Sequence, residues 1–423
     1  MGTLISGRGH PKPVAVSVLF LAERYLPEWA GGGELSGALV AELVTRLPGF
    51  EARVLTQGDG TVGTVRGVRV ERTIRRAPGG LPDDLGRGPL LTARAAPAIA
   101  RAAKGADVVH SISPRTIPAA VAGARLAGVP ATSVMNDNWA TCFTYTHVRG
   151  GAYCASCDLA GLRECLREHG GNDRAAPLLL REFRSRMGSI NALAGVVAVA
   201  PGIKRALERC GAIAPVTVIP PPVDIGAFAA AAGSPVEPGL VLFVGRLSTG
   251  KGVLEALEAF ATAASGRPRA RLEVVGDGSE LEAARRRAHG PGLDGRVAFL
   301  GRIPPEDMPG VYARAQLVLA PFVRAEAFGR VGIEAAAAGR PLLTTDLWGG
   351  AELIDLASGA GTVVPWNDRG KWAEELGRML DDPAGCAAMG REARRRVEAI
   401  YADGALERAY RAFFEGVLAR RGA

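Results

Sequence analysis

Aromatic side chains are scarce, at 5% of the 423 residues. That is too few for the interleaved rings on which a single-stranded nucleic acid stacks. The net charge of +8 is therefore not read as a nucleic-acid footprint, and the arginines are spread along the whole chain. Long apolar runs are missing too: none reaches the roughly 18–20 residues that span a bilayer. The first thirteen residues, MGTLISGRGHPKP, lack the apolar core of a signal peptide and read as a loose tail. MGTLIS formally fits a myristoylation pattern through Gly2 and Ser6, but so short a pattern recurs by chance. The expected location is the cytoplasm. No Gly-Lys-Ser/Thr follows a glycine-rich turn, which excludes a Walker loop.

What is present is alternation. Apolar runs of strand length are followed by helix-period segments almost throughout. VAVSVLFLA (14–22), ARVLT (52–56), ADVVHSI (106–112), PATSVM (130–135), GVVAVA (195–200) and TVIP (217–220) form one set. GLVLFVG (239–245), ARLEVVG (270–276), RVAFLG (296–301), AQLVLAP (315–321), RPLLTT (340–345) and GTVVP (361–365) form a second. Such β-α repeats predict parallel sheets covered by helices on both faces. Between the sets lies PPPVDIGAFAAAAGSPVEPG (220–239), a linker composition. The expected architecture is α/β, with two Rossmann-like doubly wound domains facing a cleft. They are placed at 1–232 (1–13 as tail) and 233–403, with a C-terminal helix, 404–423, that needs a surface for its apolar stripe.

The second set carries the chemistry, because ligands of such sheets sit at the carboxyl ends of the strands. LVLFVG ends in Gly245-Arg246, and Lys251 stands just before the next helix. Backbone N–H groups, a guanidinium fork and an ammonium at one strand end suit a diphosphate. Gly276 closes the next strand, and Gly301-Arg302-Ile303 the one after. Each glycine alone is ordinary turn chemistry; their repetition at successive strand ends gives them weight. In EAFGRVGIE, Gly329 opens a helix, with Glu326 just before it and Glu334 about one turn inside. A carboxylate accepts from paired hydroxyls, so either acid suits a ribose or a sugar, although a solvated helix acid is the plainer reading of Glu334 in isolation.

Together, VGRLSTGKG, GDGS, VAFLGRI, EAFGRVGIE and GRPLLTTDLWGGAELI resemble the retaining glycosyltransferases of family four, which have the GT-B fold. The resemblance covers nearly the whole second domain in order. It implies that Arg246 and Lys251 hold the donor diphosphate, that Glu326 contacts the transferred sugar, and that Glu334 binds the nucleotide ribose. It further implies that Phe328, Gly329 and Arg330 approach the phosphates and sugar, that Arg302-Ile303 meets the base, and that the last helix crosses back over the first domain. PEWAGGGELSG (27–37) is similar to the family's first glycine loop, which places Gly32 and Gly33 near donor or acceptor.

ADVVHSISP is similar to the strand end that carries a cleft histidine, here His110, though a lone histidine is more often structural. Where many relatives have His-Asp on the next strand, this chain reads Asn136-Asp137, which are expected on the acceptor side. Asparagine still hydrogen-bonds a hydroxyl but exchanges no proton near neutral pH. A cysteine-rich insertion follows at 142–165. Cys142, Cys154, Cys157 and Cys165 fit a structural zinc, with His147 or His169 as substitutes; free thiols and disulfides remain open beside it.

The expected activity is retaining transfer of a sugar from a nucleotide sugar, UDP-linked by preference, to a hydroxyl-bearing small acceptor. No catalytic cofactor or nucleic-acid partner is implied. The alternatives are a cell-envelope acceptor, a pyridoxal-phosphate phosphorylase, or a scaffold that binds the nucleotide sugar without turnover.

Overall fold

A computed structural model describes residues 15–27, 32–74, 88–145, 147–150, 152–154 and 157–422. The N-terminal tail, 1–13, lies outside them. The first sheet is built from β1 (Val16–Leu21), β2 (Phe50–Gln57), β3 (Val62–Val65), β4 (Val68–Ile74), β5 (Val108–Ser111), β6 (Ala131–Met135), β9 (Gly195–Ala198) and β10 (Val216–Val218). Its order is β10-β9-β6-β5-β1-β2-β4-β3. The β1–β2, β1–β5, β2–β4, β5–β6 and β9–β10 pairs are parallel, and β3–β4 is an antiparallel hairpin. β7 (Val148–Arg149) and β8 (Ala152–Tyr153) form a separate small hairpin.

The second sheet comprises β11 (Leu240–Val244), β12 (Arg271–Val275), β13 (Val297–Gly301), β14 (Leu317–Ala320), β15 (Leu342–Thr345) and β16 (Gly361–Val364). Its order, β13-β12-β11-β14-β15-β16, is that of a doubly wound dinucleotide-type sheet, reversing direction at β11. The central strands β14 and β15 are buried along their whole length, as continuous apolar runs flanked by helices must be. Phe243, Phe260, Leu272, Leu319 and Trp372 fill the core on one face. Two α/β domains of this kind constitute the GT-B architecture.

The chain divides into two compact units: residues 1–133, 192–195 and 409–423, and residues 134–191 with 196–408. The segment 220–239, between β10 and β11, is not a loose tether. Pro222 O accepts from Arg330 Nη1 at 2.8 Å and Pro221 O from Tyr401 at 2.9 Å, while Phe228 is buried edge-on to Tyr312. In the smaller unit, the helix Ala405–Gly422 buries Tyr410, Phe413, Phe414 and Val417, and Arg411 donates to Pro48 O at 2.8 Å. Among the described residues, no helix is long and apolar enough to cross a membrane.

Candidate active site

The strands of the second sheet run parallel, so their carboxyl ends meet along one edge. Three glycines knit that edge together. Gly245 N donates to Val275 O at 3.0 Å, and Gly276 N to Gly301 O at 2.7 Å. Gly276 has φ 134°, and a Cβ there would lie 1.9 Å from Gly245 O, so no other residue fits. Beside this ladder Arg246 is exposed, and among the described residues its guanidinium has no carboxylate partner. Arg302, exposed at the end of β13, lies 3.5 Å from Asp277, with Ile303 half-buried beside it.

Lys251 sits in a short 3-10 turn after β11 and pairs its ammonium with the Glu326 carboxylate, 5.2 Å above the Phe322 ring. The Glu326 loop is held from below. Glu326 N donates to Leu347 O at 2.9 Å, Gly349 N to Glu326 O at 2.7 Å, and the buried Trp348 indole to the carbonyls of Phe328 and Gly329. Gly329, at φ 61°, then caps the helix Arg330–Ala337 without a side-chain acceptor. Gly332 N turns back to Gly329 O at 3.2 Å, and the N–H groups of Arg330 and Val331 gain no side-chain acceptor from the cap.

Glu334 is not a solvated acid. Tyr312 Oη donates to its Oε2 at 2.9 Å and Arg330 Nε to its Oε1 at 3.2 Å. Tyr312 is fully buried; that burial, with Glu334 adjacent, holds its hydroxyl far above the usual tyrosine range, so it serves only as a donor. No local signal pointed to this tyrosine's role, because it reads as a core residue of the helix Met308–Arg314. With both carboxylate oxygens fixed, Tyr312→Phe is expected to release one of them and raise the donor KM about tenfold, at little cost to kcat. Steady-state kinetics against donor concentration checks this.

His110 is corrected by its surroundings. It lies on β5 with no exposed surface, edge-on to Phe20, Phe413 and Phe414 at 5.4, 6.2 and 5.4 Å. Nδ1 meets Thr132 Oγ1 at 2.8 Å, and Nε2 is buried with no partner among the described residues. A group sealed by the C-terminal helix is a core histidine, not a catalytic one. Burial pushes its pKa down to about 3. The unfolded chain binds the proton near pH 6.5, so stability is full above that value and falls as pH drops towards 3. His110→Phe is expected to remove this slope, at most about 1.4 kcal/mol per pH unit, in denaturant titrations between pH 4 and 7.

Asp137 Oδ1 accepts from Trp139 N at 2.8 Å, a local turn, and both Asn136 and Asp137 are half-buried. The next residue, Asn138, is the one that reaches the Glu326 loop: its Nδ2 donates to Tyr145 O at 3.2 Å and to Ala325 O at 3.4 Å. Asn138 and Glu326 line one cavity of about 350 Å³ within the larger unit. Gly32 and Gly33 open the helix Gly32–Thr45 of the smaller unit.

The zinc expectation is not supported. Among the described residues, no group of three or more His, Cys, Asp or Glu side chains converges as a metal site, and the cysteines form no disulfide. Cys142 Sγ instead accepts the His147 N–H at 3.2 Å, and Cys165 Sγ faces Thr144 Oγ1 at 3.6 Å. Burial, with the thiols of Cys142, Cys154 and Cys165 nearby, pushes the Cys157 thiol up to about 12. His147 donates from Nδ1 to Cys154 O at 2.8 Å and accepts from Thr141 at Nε2, 3.0 Å; burial lowers its pKa.

A family model described as Glycosyl transferases group 1 matches residues 224–396, and one described as Glycosyltransferase Family 4 matches residues 31–226. The chain belongs to glycosyltransferase family 4. D-inositol 3-phosphate glycosyltransferase of Corynebacterium jeikeium is 32% identical over 193 residues, 41% of this chain and 46% of that protein. The enzyme of the same name from Segniliparus rotundus is 35% identical over 189 residues, 42% and 41% of the two chains. This family 4 chain thus spans less than half the length of these curated relatives. Among solved structures, Anabaena HepE in complex with UDP and glucose superposes with a TM-score of 0.68 at 19% identity, over 94% of this chain and 99% of that one. Sucrose-phosphate synthase from Thermosynechococcus elongatus gives 0.72 at 20% identity, over 95% and 100%. These likenesses establish the fold of the chain.

Proposed function

We propose that the protein transfers a sugar from a nucleotide sugar, UDP-linked by preference, to a hydroxyl of a small soluble acceptor, with the anomeric configuration retained. One observation carries this reading: the Lys251–Glu326 pair stands at the open start of the helix Arg330–Ala337, while Glu334 is fixed a turn deeper by Tyr312 and Arg330. The arrangement supplies cations for a diphosphate, an acid for sugar hydroxyls and a second acid for a ribose. Neighbours of this fold solved with UDP, UDP-glucose or UDP and glucose support the choice of base.

In the proposed reaction the bond between the sugar's anomeric carbon and the diphosphate oxygen breaks, and the diphosphate keeps the electron pair. The acceptor oxygen bonds the same face of the anomeric carbon, and its proton passes to the departing phosphate oxygen. Arg246 and Lys251 stabilise the charge that grows on the diphosphate, and Glu326 orients the sugar. The cytoplasm is the setting in which donor and soluble acceptor meet. Thermal-shift screening against UDP-, GDP-, ADP- and TDP-sugars tests the donor, since binding to the folded state alone raises the melting temperature. NMR of the product's anomeric proton tests retention. A UDP-sugar that neither stabilises the protein nor loses UDP on incubation would overturn the reading.

A further inference from the structure

One neutral side chain reaches the loop that carries Glu326. Asn138 follows β6 and is only 5% exposed. Its backbone oxygen anchors its own turn, accepting from Thr141 N at 3.1 Å and Cys142 N at 2.9 Å. Its side-chain amide is spent on two other carbonyls: Nδ2 donates to Tyr145 O at 3.2 Å and to Ala325 O at 3.4 Å. The Ala325 carbonyl belongs to the peptide unit that ends in Glu326 N, and that N–H donates to Leu347 O at 2.9 Å. A peptide unit is planar, so one hold on its oxygen and another on its N–H fix its rotation. The next unit is gripped too, by Gly349 N on Glu326 O at 2.7 Å. Two of these three grips are backbone groups, of Leu347 and Gly349. The third is the Asn138 side chain.

We propose that Asn138 is a positioning residue for transfer: it sets the direction in which the Glu326 side chain leaves the loop, and so acts on the moving sugar through Glu326. The inference rests on the proposed transferase reading and deepens it. Glu326 needs such a hold because its counter-ion does not supply one. The Lys251 ammonium is a point charge on a flexible stem, which balances the carboxylate without fixing its direction. The residue type is also what the role requires. Two carbonyl oxygens face the side chain, and an amide NH2 answers both; a carboxylate would set acceptor against acceptor. The second N–H extends the clamp. Tyr145, whose carbonyl it holds, has φ 64°, in the left-handed region that side chains rarely adopt. One amide thus ties the first turn of the cysteine-rich insertion to the Glu326 loop.

The test uses the intact protein, with UDP affinity and the rate of UDP release from the UDP-sugar that the thermal-shift screen selects measured on each variant. Asn138→Ala is expected to lower kcat about tenfold while the affinity for UDP, which lacks the sugar, stays within about twofold. Asn138→Asp keeps the shape but loses both donors, and should be slower than Asn138→Ala. On a Glu326→Gln background, Asn138→Ala should cost much less than alone, because residues that act as a unit are not additive. An unchanged kcat in Asn138→Ala overturns the proposal. So do independent losses in the cycle, or a UDP affinity that falls in step with kcat, as a general loosening of the fold would produce. A wild-type protein that neither binds UDP nor releases it from a UDP-sugar overturns the transferase reading instead, and is told apart because Asn138 is intact in it.

Discussion

Lys251→Ala is expected to lower kcat about 10²–10³-fold with donor saturating, the loss seen when one preorganised charge stabiliser is removed from a transition state. The ammonium sits between the Glu326 carboxylate and the Phe322 ring, so its position is set before any ligand arrives. Removing it has two consequences. The diphosphate loses the cation that answers its growing charge, and Glu326 loses its counter-ion and adds repulsion at the same place. Both fall mainly on the transition state, where the charge is largest. The fold is little affected, because the Lys251 and Glu326 side chains retain 29% and 25% exposure, and a pair so placed contributes about 0–1 kcal/mol. Steady-state UDP release together with a melting curve separates the effects. An unchanged kcat at an unchanged melting temperature would remove Lys251 from the mechanism. Glu326→Gln keeps the shape but removes the charge, and is expected to slow transfer with donor KM little altered.

The strand-end edge proposed to hold the donor was legible because it is written in local signals. Glycine after an apolar run, repeated at 245, 276 and 301, marks strand ends that a parallel sheet must align on one edge, and the structure joins all three by backbone hydrogen bonds. Lys251, Glu326 and Glu334 followed from their places in that series. What was not legible depends on contacts distant in sequence. Tyr312 is 22 residues before the Glu334 it fixes, and Trp348 about 20 after the carbonyls it grips; both read as ordinary core. His110 was misplaced for a related reason. A histidine at a strand end is either exposed or covered, and its cover here comes from Phe413 and Phe414, at the other end of the chain. In the cysteine insertion, spacing brought four thiols into one region but says nothing about what each Sγ meets: Cys142 and Cys165 both face the Thr144 hydroxyl at 3.6 Å, and Cys142 also accepts the His147 amide.

Gly332→Ala is expected to destabilise the protein although the position is helical and alanine is intrinsically the better helix former by about 1 kcal/mol. The added Cβ would lie 2.1 and 2.2 Å from two carbons of the Trp348 ring, contacts that no side chain tolerates. Trp348 cannot yield freely, because it is 2% exposed and its indole N–H holds the carbonyls of Phe328 and Gly329. Overpacking of this kind costs about 1–3 kcal/mol, which outweighs the gain in helix propensity. At about 1 °C of melting temperature per kcal/mol for a chain of this size, the loss is measurable as a shift of about 1–3 °C. The indole also anchors the turn between Glu326 and the start of the helix. Displacing it should move the N–H groups proposed to face the donor, so donor KM is expected to rise along with the fall in stability. Trp348→Leu removes the ring that clashes and the anchor together. In a double-mutant cycle, Gly332→Ala should therefore cost much less on the Trp348→Leu background than alone. Additive losses would mean that the helix start does not depend on this glycine–tryptophan contact, and that the turn at Gly329 is held by the backbone bonds of Glu326 alone.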